Sequence, residues 1–283
     1  MTKLLDPGPS RRGWHRLQLV LQCPRKYALY MARKEAVGMY LCNTTSSPAL
    51  IKGTLLHTAL AHRYALRGDA PDPELLSPLD AIEARAEVEP NAEVWKEHTG
   101  LVAKAYLEYE LRWAAEQWET VAVEKELQAT IRDDERDVGY LYTQRADLIV
   151  RNPATGLVHI VDHKTTSRLT SKVMRRYTLS GQFRGYNFFG RGLLGDKFGG
   201  VILNMVQWPD RKGAFKFERI DLEPAPFADK TFRDTVVHAE RLIHDLRDRH
   251  DDPMLWPAAH HETACGTPYG AGENHARCEW GTE

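Results

Sequence analysis

The sequence predicts an α/β protein, a small mixed central sheet flanked by helices on both faces, with further helices at the N-terminus and inserted before the sheet. Three observations carry that expectation. Apolar residues recur at helical spacing through most of the first 118 residues, the period changes to strand-like alternation in TVAVEKELQATI, and the segment RADLIVRNPATGLVHIVDHKTT is apolar on both faces of its two strands. A strand that is apolar on both faces belongs in the middle of a sheet covered from both sides.

The elements follow in order. Residues 14–34 read as a helix with Leu17, Val20, Leu21 and Tyr27 as apolar positions, interrupted at Cys23-Pro24. Residues 50–67 read as a second, with Leu56, Ala59, Leu60 and Tyr64 as its stripe. The acidic, Pro-rich DAPDPELLSPLDAIEARAEVEPN reads as a peripheral linker or insertion with at most a short helix. A long helix over 92–118 is anchored by Trp95, Val102, Tyr106, Tyr109 and Trp113, so that 69–118 forms a helical insertion within one domain, 1–283. After the first strand and the hairpin come a helix near 179–194, then the strands VILNMVQW and AFKFERI joined by a Pro-Asp-Arg-Lys-Gly turn. A helix over 227–248 and an irregular tail, 250–283, complete the chain. Helix, strand, hairpin, helix, strand pair, helix is the order of a mixed sheet with helices packed on it.

A length of 283 residues with 42% hydrophobic content is ample for a buried core. No run is long enough to span a bilayer, and MTKLLDPGPSRRGWHR lacks an apolar signal-peptide centre, which leads us to expect an intracellular, cytoplasmic protein with no membrane partner. The net charge of -1 supplies no global field to attract a polyanion. Contact with nucleic acid must then depend on local clusters, of which there are two: Arg11, Arg12, Arg25, Lys26, Arg33 and Lys34 near one end, and Lys172, Arg175 and Arg176.

The hairpin carries the chemistry. A register symmetric about Asn152-Pro153-Ala154-Thr155-Gly156 pairs Asn152 with Leu157, Val150 with His159, and Asp147 with Asp162. Cross-strand neighbours have Cβ atoms roughly 4.5–5.5 Å apart, and two like charges there destabilise a sheet unless a cation lies between them. A divalent metal is the natural candidate. Lys164, two residues beyond Asp162, shares its face at about 6.6–7 Å. His163 points to the other face but leaves its backbone carbonyl available to a metal. Carboxylates that hold an ion, with an ammonium beside them, suit hydrolysis of a phosphodiester. Asp-x-Lys alone is weak, since about one chance copy is expected in a chain of this length, and Asp210-Arg211-Lys212 is a second copy with no carboxylate opposite it. Gln182 and Tyr186 share a helix face, as do Gly53 and His57. Gly-rich phosphate loops, a Gly-x-Ser-x-Gly elbow and a zinc protease signature are absent from the sequence.

Taken in order, Gly53-x-x-x-His57, Asp147, Asp162-His163-Lys164 and Gln182-x-x-x-Tyr186 resemble the PD-(D/E)XK nuclease superfamily. Specifically, they resemble its RecB-like branch, which includes phage exonucleases, CRISPR adaptation nucleases and helicase-linked nuclease domains. The resemblance covers residues 14–220 and includes Cys23-Pro24-Arg25-Lys26-Tyr27. It implies a restriction-endonuclease-like core and a Mg²⁺ or Mn²⁺ ion held by His57, Asp147, Asp162 and the carbonyl of His163. Lys164 would act on the attacking water, and Gln182 and Tyr186 would orient the lysine or the DNA backbone. Glu124 or Glu126, on one face of the preceding strand, would supply the further glutamate that such proteins often carry. Gln144 stands where the family often has Gly.

The same resemblance implies a 4Fe-4S cluster on Cys23, Cys265 and Cys278, with Cys42 replacing a missing fourth ligand. The alternatives are a cluster that has been lost, a zinc site recruiting His260, His261 or His275, or no metal in the tail. The expected function is a metal-dependent DNA exonuclease of recombination, repair or phage DNA processing. It would act on single-stranded DNA or duplex ends, at the nucleoid or on phage DNA, with a recombination or replication protein as partner. A structure-specific or CRISPR-adaptation endonuclease, and a non-catalytic DNA-binding subunit that keeps the fold, are the alternatives.

Overall fold

The computed structural model describes residues 3–5, 12–29, 47–209, 213–222 and 228–259, with backbone alone at 266–267 and 270–271. In chain order the main elements are α1 (Trp14–Gln22), α2 (Pro24–Tyr27), α3 (Pro48–Leu66), α4 (Pro78–Val88), α5 (Ala92–Arg112), β1 (Glu119–Asp133), β2 (Val138–Arg151), β3 (Val158–Thr166), α6 (Ser171–Thr178), α7 (Gly181–Leu194), β4 (Phe198–Gln207), β5 (Lys216–Leu222) and α8 (Ala228–Arg249). The five strands form one mixed sheet in the order β1-β2-β3-β4-β5. β3 is central, antiparallel to β2 and parallel to β4, while β4 and β5 are antiparallel. The expected class, a mixed sheet with helices on both faces, is what the chain adopts.

The chain divides into two compact units. The first comprises Met1–Ser10, Thr45–Leu127 and Gln144–Ala228 and holds most of the sheet. One face of that sheet is covered by α3, whose Tyr64 packs with Leu148, Val150, Val161 and Ile202. Helices α3, α4 and α5 build a second cluster with Val206, Trp208 and Phe215, from Ile51, Leu55, Ile82, Trp95, Val102 and Tyr109 among others. On the opposite face lies α7, whose Gly190 admits the ring of Phe198 so closely that a Cβ would fall 2.2 Å from it.

Local chemistry sets the helix starts. Ser47, Ser77, Thr170 and Ser180 each accept a backbone N–H from the first turn of α3, α4, α6 and α7. Pro follows the cap in α3 and α4, where its missing N–H costs nothing. That explains a difference from the sequence expectation. Of the expected linker or insertion with at most a short helix, the stretch is the helical one and is not peripheral: Ser77-Pro78 starts an 11-residue helix whose Ala81, Ile82 and Ala86 are buried in the core. Helix α5 stops at Arg112, short of residue 118. The helix expected near 179–194 is α7, and before it, separated by Leu179 and Ser180, stands α6, a helix outside the expected elements.

The second unit comprises Arg11–Thr44, Gln128–Thr143 and Asp229–Glu283, so the far end of the β1–β2 hairpin belongs to it. Its core includes Leu17, Val20, Tyr27, Tyr142, Phe232, Val236 and Trp256. Tyr27 stacks on Trp256 at 5.8 Å, and Arg25 Nε donates to the Trp256 carbonyl at 2.9 Å. A buried Arg16–Glu240 ion pair ties α1 to α8. Among the described residues, no helix is long and apolar enough to cross a membrane.

Candidate active site

The β2–β3 ladder runs Arg151 opposite Val158, Val150 opposite His159, Ile149 opposite Ile160 and Leu148 opposite Val161. Asn152 N–H closes the turn on the Leu157 carbonyl at 2.9 Å. This is the register read from the turn, and one step further along it brings Asp147 and Asp162 together. There the carboxylate takes over from the ladder: Asp147 Oδ2 accepts the backbone N–H of His163 at 2.8 Å. N–H and C=O of one strand residue face the same neighbour, so the His163 carbonyl lies on the Asp147 side.

Helix α3 reaches this point because Gly53 lets it approach β3 closely; a Cβ there would lie 3.3 Å from Thr165 Oγ1. One turn on, His57 Nδ1 is 3.5 Å from Asp147 Oδ2.

Asp162 is fully buried. Its Oδ1 is within 2.9 Å of both Gln182 Nε2 and the Tyr186 hydroxyl, which extend from successive turns of α7. The Tyr186 hydroxyl is also 2.7 Å from the Arg145 carbonyl, so its one proton serves either acceptor while it accepts from Gln182 Nε2 at 3.2 Å. Asp162 Oδ2 faces the Lys164 ammonium at 2.5 Å and receives no other hydrogen bond. Gln144, at the position where the resemblance leads one to expect Gly, donates from Nε2 to the Gln182 carbonyl at 2.5 Å and tethers the first turn of α7.

Glu124 and Glu126 part company. Glu124 has a positive φ of 49°, a left-handed conformation in mid-strand, and the burial of β1 changes phase around it. Glu126 is exposed and lies 3.6 Å from Arg145. Glu124 stays half-buried within the field of Asp147, Asp162, Lys164 and Arg145.

The electrostatics follow from burial and crowding. Burial, then the Asp147 charge, push the Glu124 carboxyl up to about 9, with Arg145 opposing. Burial also raises Asp162, with Asp147 adding to it against the pull of Lys164. For Asp147 burial works the same way but is outweighed by His57, Lys164 and His163, and the carboxyl is lowered. Burial works against the Lys164 ammonium, yet Asp162 and Asp147 raise it. Burial holds the His163 imidazole down to about 3, so the ring is neutral at physiological pH.

The His163 ring points away from the carboxylates, as its place on the strand requires. Its Nδ1 accepts from Asn204 Nδ2 at 2.8 Å, and Asn204 is its register partner on β4. Asn204 also donates to the Tyr109 hydroxyl at 3.0 Å, which meets the Tyr64 hydroxyl at 3.0 Å. Arg219 reaches both hydroxyls, pairs with Glu116 at 2.5 Å and lies between the rings of Trp113 and Trp118 at 3.7 and 3.9 Å. None of these partners was singled out from sequence as part of a network. They come from α3, α5, β4, β5 and the segment before β1, and only the fold brings them together.

The structure therefore gathers His57, Glu124, Asp147, Asp162, Lys164, Gln182 and Tyr186 in one place. Among the described residues, no three His, Cys, Asp or Glu side chains are already drawn together at metal-binding separations. The donor set nevertheless suits a divalent cation. Glu124 is raised by burial first and then by the charges of Asp147 and Asp162, so three carboxyl groups act on one another, and Asp162 Oδ2 has only the lysine as partner. Cys23, buried in the second unit, accepts the Lys26 N–H at 3.5 Å and caps α2. Cys42, Cys265, Cys278, His260, His261, His275 and Asp210-Arg211-Lys212 lie outside the described residues. One described thiol cannot assemble a cluster or a tetrahedral zinc site.

A family model described as the PD-(D/E)XK nuclease superfamily matches residues 14–267. No curated protein matches the chain. A solved structure described as "Crystal structure of SSO0001" is 18% identical, covers 56% of this chain and 70% of its own, and superposes with a TM-score of 0.31.

Proposed function

The chain belongs to the PD-(D/E)XK nuclease superfamily, and on that premise we propose that it is a divalent-metal-dependent deoxyribonuclease that digests DNA from ends. The observation that carries the reading is the division of labour at Asp162: one oxygen is fixed by Gln182 and Tyr186, the other faces Lys164, and Asp147 stands across the strand pair. His57, Asp147, Asp162, the His163 carbonyl and Glu124 would hold the ion. When bound, Mg²⁺ or Mn²⁺ supplies charge neutralisation at the phosphate and a more acidic water.

The protein's own groups do the rest. Gln182 and Tyr186 fix the rotamer of Asp162, so its free oxygen keeps one direction. The His163 N–H does the same for Asp147. Lys164, kept protonated by its two carboxylates, cannot accept a proton in its resting state; it orients the attacking water through an N–H and stabilises charge developing on the phosphate. Tyr186, raised far above its ordinary value by burial and by Asp162, stays a neutral donor.

Incubation with end-labelled linear DNA and Mn²⁺ tests the reading. The expected result is progressive, EDTA-sensitive degradation that Asp162→Ala abolishes, with closed circular single-stranded DNA left intact. Cutting of the circle would replace the exonuclease by an endonuclease. Intact linear DNA across metals and pH, with DNA binding retained, would favour a non-catalytic subunit.

A further inference from the structure

From the basic face of α6 we infer that Lys172, Arg175 and Arg176 form a track for the phosphates of a single DNA strand next to the bond being cut. The inference rests on the nuclease reading for its substrate, but its evidence lies outside the carboxylate centre. The chain as a whole is balanced, with 38 basic and 39 acidic residues. Between Asp162 and Asp196 it has no Asp or Glu at all, while it carries Arg168, Lys172, Arg175, Arg176, Arg184 and Arg191 besides Lys164.

The fold sorts these charges. At 100° per residue, Lys172, Arg175 and Arg176 fall within an arc of about 100° on α6, and Val173, Met174 and Tyr177 fall on the other side. The three cations are exposed, while Val173, Met174 and Tyr177 are half-buried. A run of charges is most often a solvated face laced with ion pairs. Several exposed arginines follow that pattern: Arg67, Arg136, Arg151 and Arg233 each lie within 2.6–3.2 Å of a carboxylate. Lys172, Arg175 and Arg176 have no such partner among the described residues.

Helix α6 is also fixed to the chemistry. It follows β3 directly after the Asp162-x-Lys164 strand, and Tyr177 packs edge-on against Phe183 at 5.5 Å. The Phe183 ring in turn lies under the Lys164 ammonium at 6.0 Å. Burial raises the Tyr177 phenol, and Lys164 and Asp162 both act on it electrostatically. The helix is 8 residues long, about 12 Å, which matches three to four phosphates at about 3.4 Å of axis per strand charge. Leu179, 72% exposed just beyond the helix, places apolar surface beside the cations. Unpaired bases can use such surface and the stacked bases of a duplex cannot.

The test is fluorescence anisotropy with a labelled oligothymidylate in calcium, measured across salt. Replacing Lys172, Arg175 and Arg176 together by Gln should lower the slope of log affinity against log salt by about 2, at about 0.7 per charge on a single strand. Replacing Lys104, Lys197 and Lys216 by Gln should leave the slope unchanged. If the triple α6 variant does not fold, Arg175→Gln alone should lower it by about 0.7. Equal slopes in wild type and folded α6 variants, or a change seen only with duplex of the same length, would overturn the inference. Binding is read without cleavage, so the two readings fail separately. A slope lost in a protein that cuts nothing removes the nuclease reading alone, and cutting with an unaltered slope removes the track alone.

Discussion

Asp147 and His163 are joined across β2 and β3 by a hydrogen bond from the His163 backbone N–H to Asp147 Oδ2, 2.8 Å long, just beyond the last regular pair at Leu148 and Val161. A carboxylate thus continues the work of the ladder. The bond fixes Asp147 without using a side chain, and it leaves the His163 ring free to face the other way, where Asn204 holds it. One residue serves both faces of the sheet: its backbone positions the acidic centre and its side chain secures the polar network behind.

Lys164→Met should separate chemistry from metal binding. We expect kcat to fall about 100- to 1000-fold, as for loss of one preorganised electrostatic contact, while Mn²⁺ affinity measured by calorimetry is undiminished. A parallel collapse of Mn²⁺ affinity would place the lysine in the wrong role.

Tyr186→Phe removes one of the two donors on Asp162 Oδ1 without changing shape. A loss of about 10- to 100-fold in Mn²⁺ affinity or activity is expected for such an outer partner. Gln182→Leu should act similarly, and the double variant should cost less than the sum of the two because both hold the same oxygen.

In metal-free protein two groups act on stability in opposite senses. Glu124 keeps its proton up to about 9 in the folded state and loses it near 4.5 when unfolded, so stability falls as pH rises across that interval. His163 stays neutral down to about 3 when folded but takes a proton below 6.5 when unfolded, so stability falls as pH drops from 6.5. Above 6.5 the Glu124 slope stands without the histidine, at no more than about 1.4 kcal/mol per pH unit. Urea unfolding in EDTA at pH 7 and 9 should show this decline for wild type and a flatter profile for Glu124→Gln. Parallel profiles would contradict the placement of Glu124.

Asn204→Ala leaves the His163 Nδ1 without a buried donor and removes one donor from the Tyr109 hydroxyl, which keeps Arg219. A loss of about 1–3 kcal/mol is expected in urea unfolding. A neutral result would mean that water or Arg219 takes over.

Much of the centre was legible because its geometry is periodic. The turn Asn152 to Gly156 fixes the register, and the register brings Asp147 to Asp162; Gln182 and Tyr186 need only the helical repeat. Glu124 could not be chosen over Glu126 for the same reason. Regular strand geometry puts both on one face, and only the positive φ at Glu124 separates them. Helix α4 is longer than the short helix its acidic, Pro-rich stretch suggests, because Pro78 is a first-turn residue behind Ser77. Helix α6 was missed because it is short and buries no side chain fully, which leaves little apolar signal. The network around Asn204 and Arg219 joins residues from α3 to β5, and no local pattern encodes such a meeting.

The most direct test of the central claim is anomalous diffraction from crystals soaked in Mn²⁺. The account predicts a peak between the carboxylates of Asp147 and Asp162, about 2.0–2.3 Å from an oxygen of each, that disappears in Asp162→Ala. Crystals saturated with Mn²⁺ that show no peak there, or a peak held by other residues alone, would contradict it.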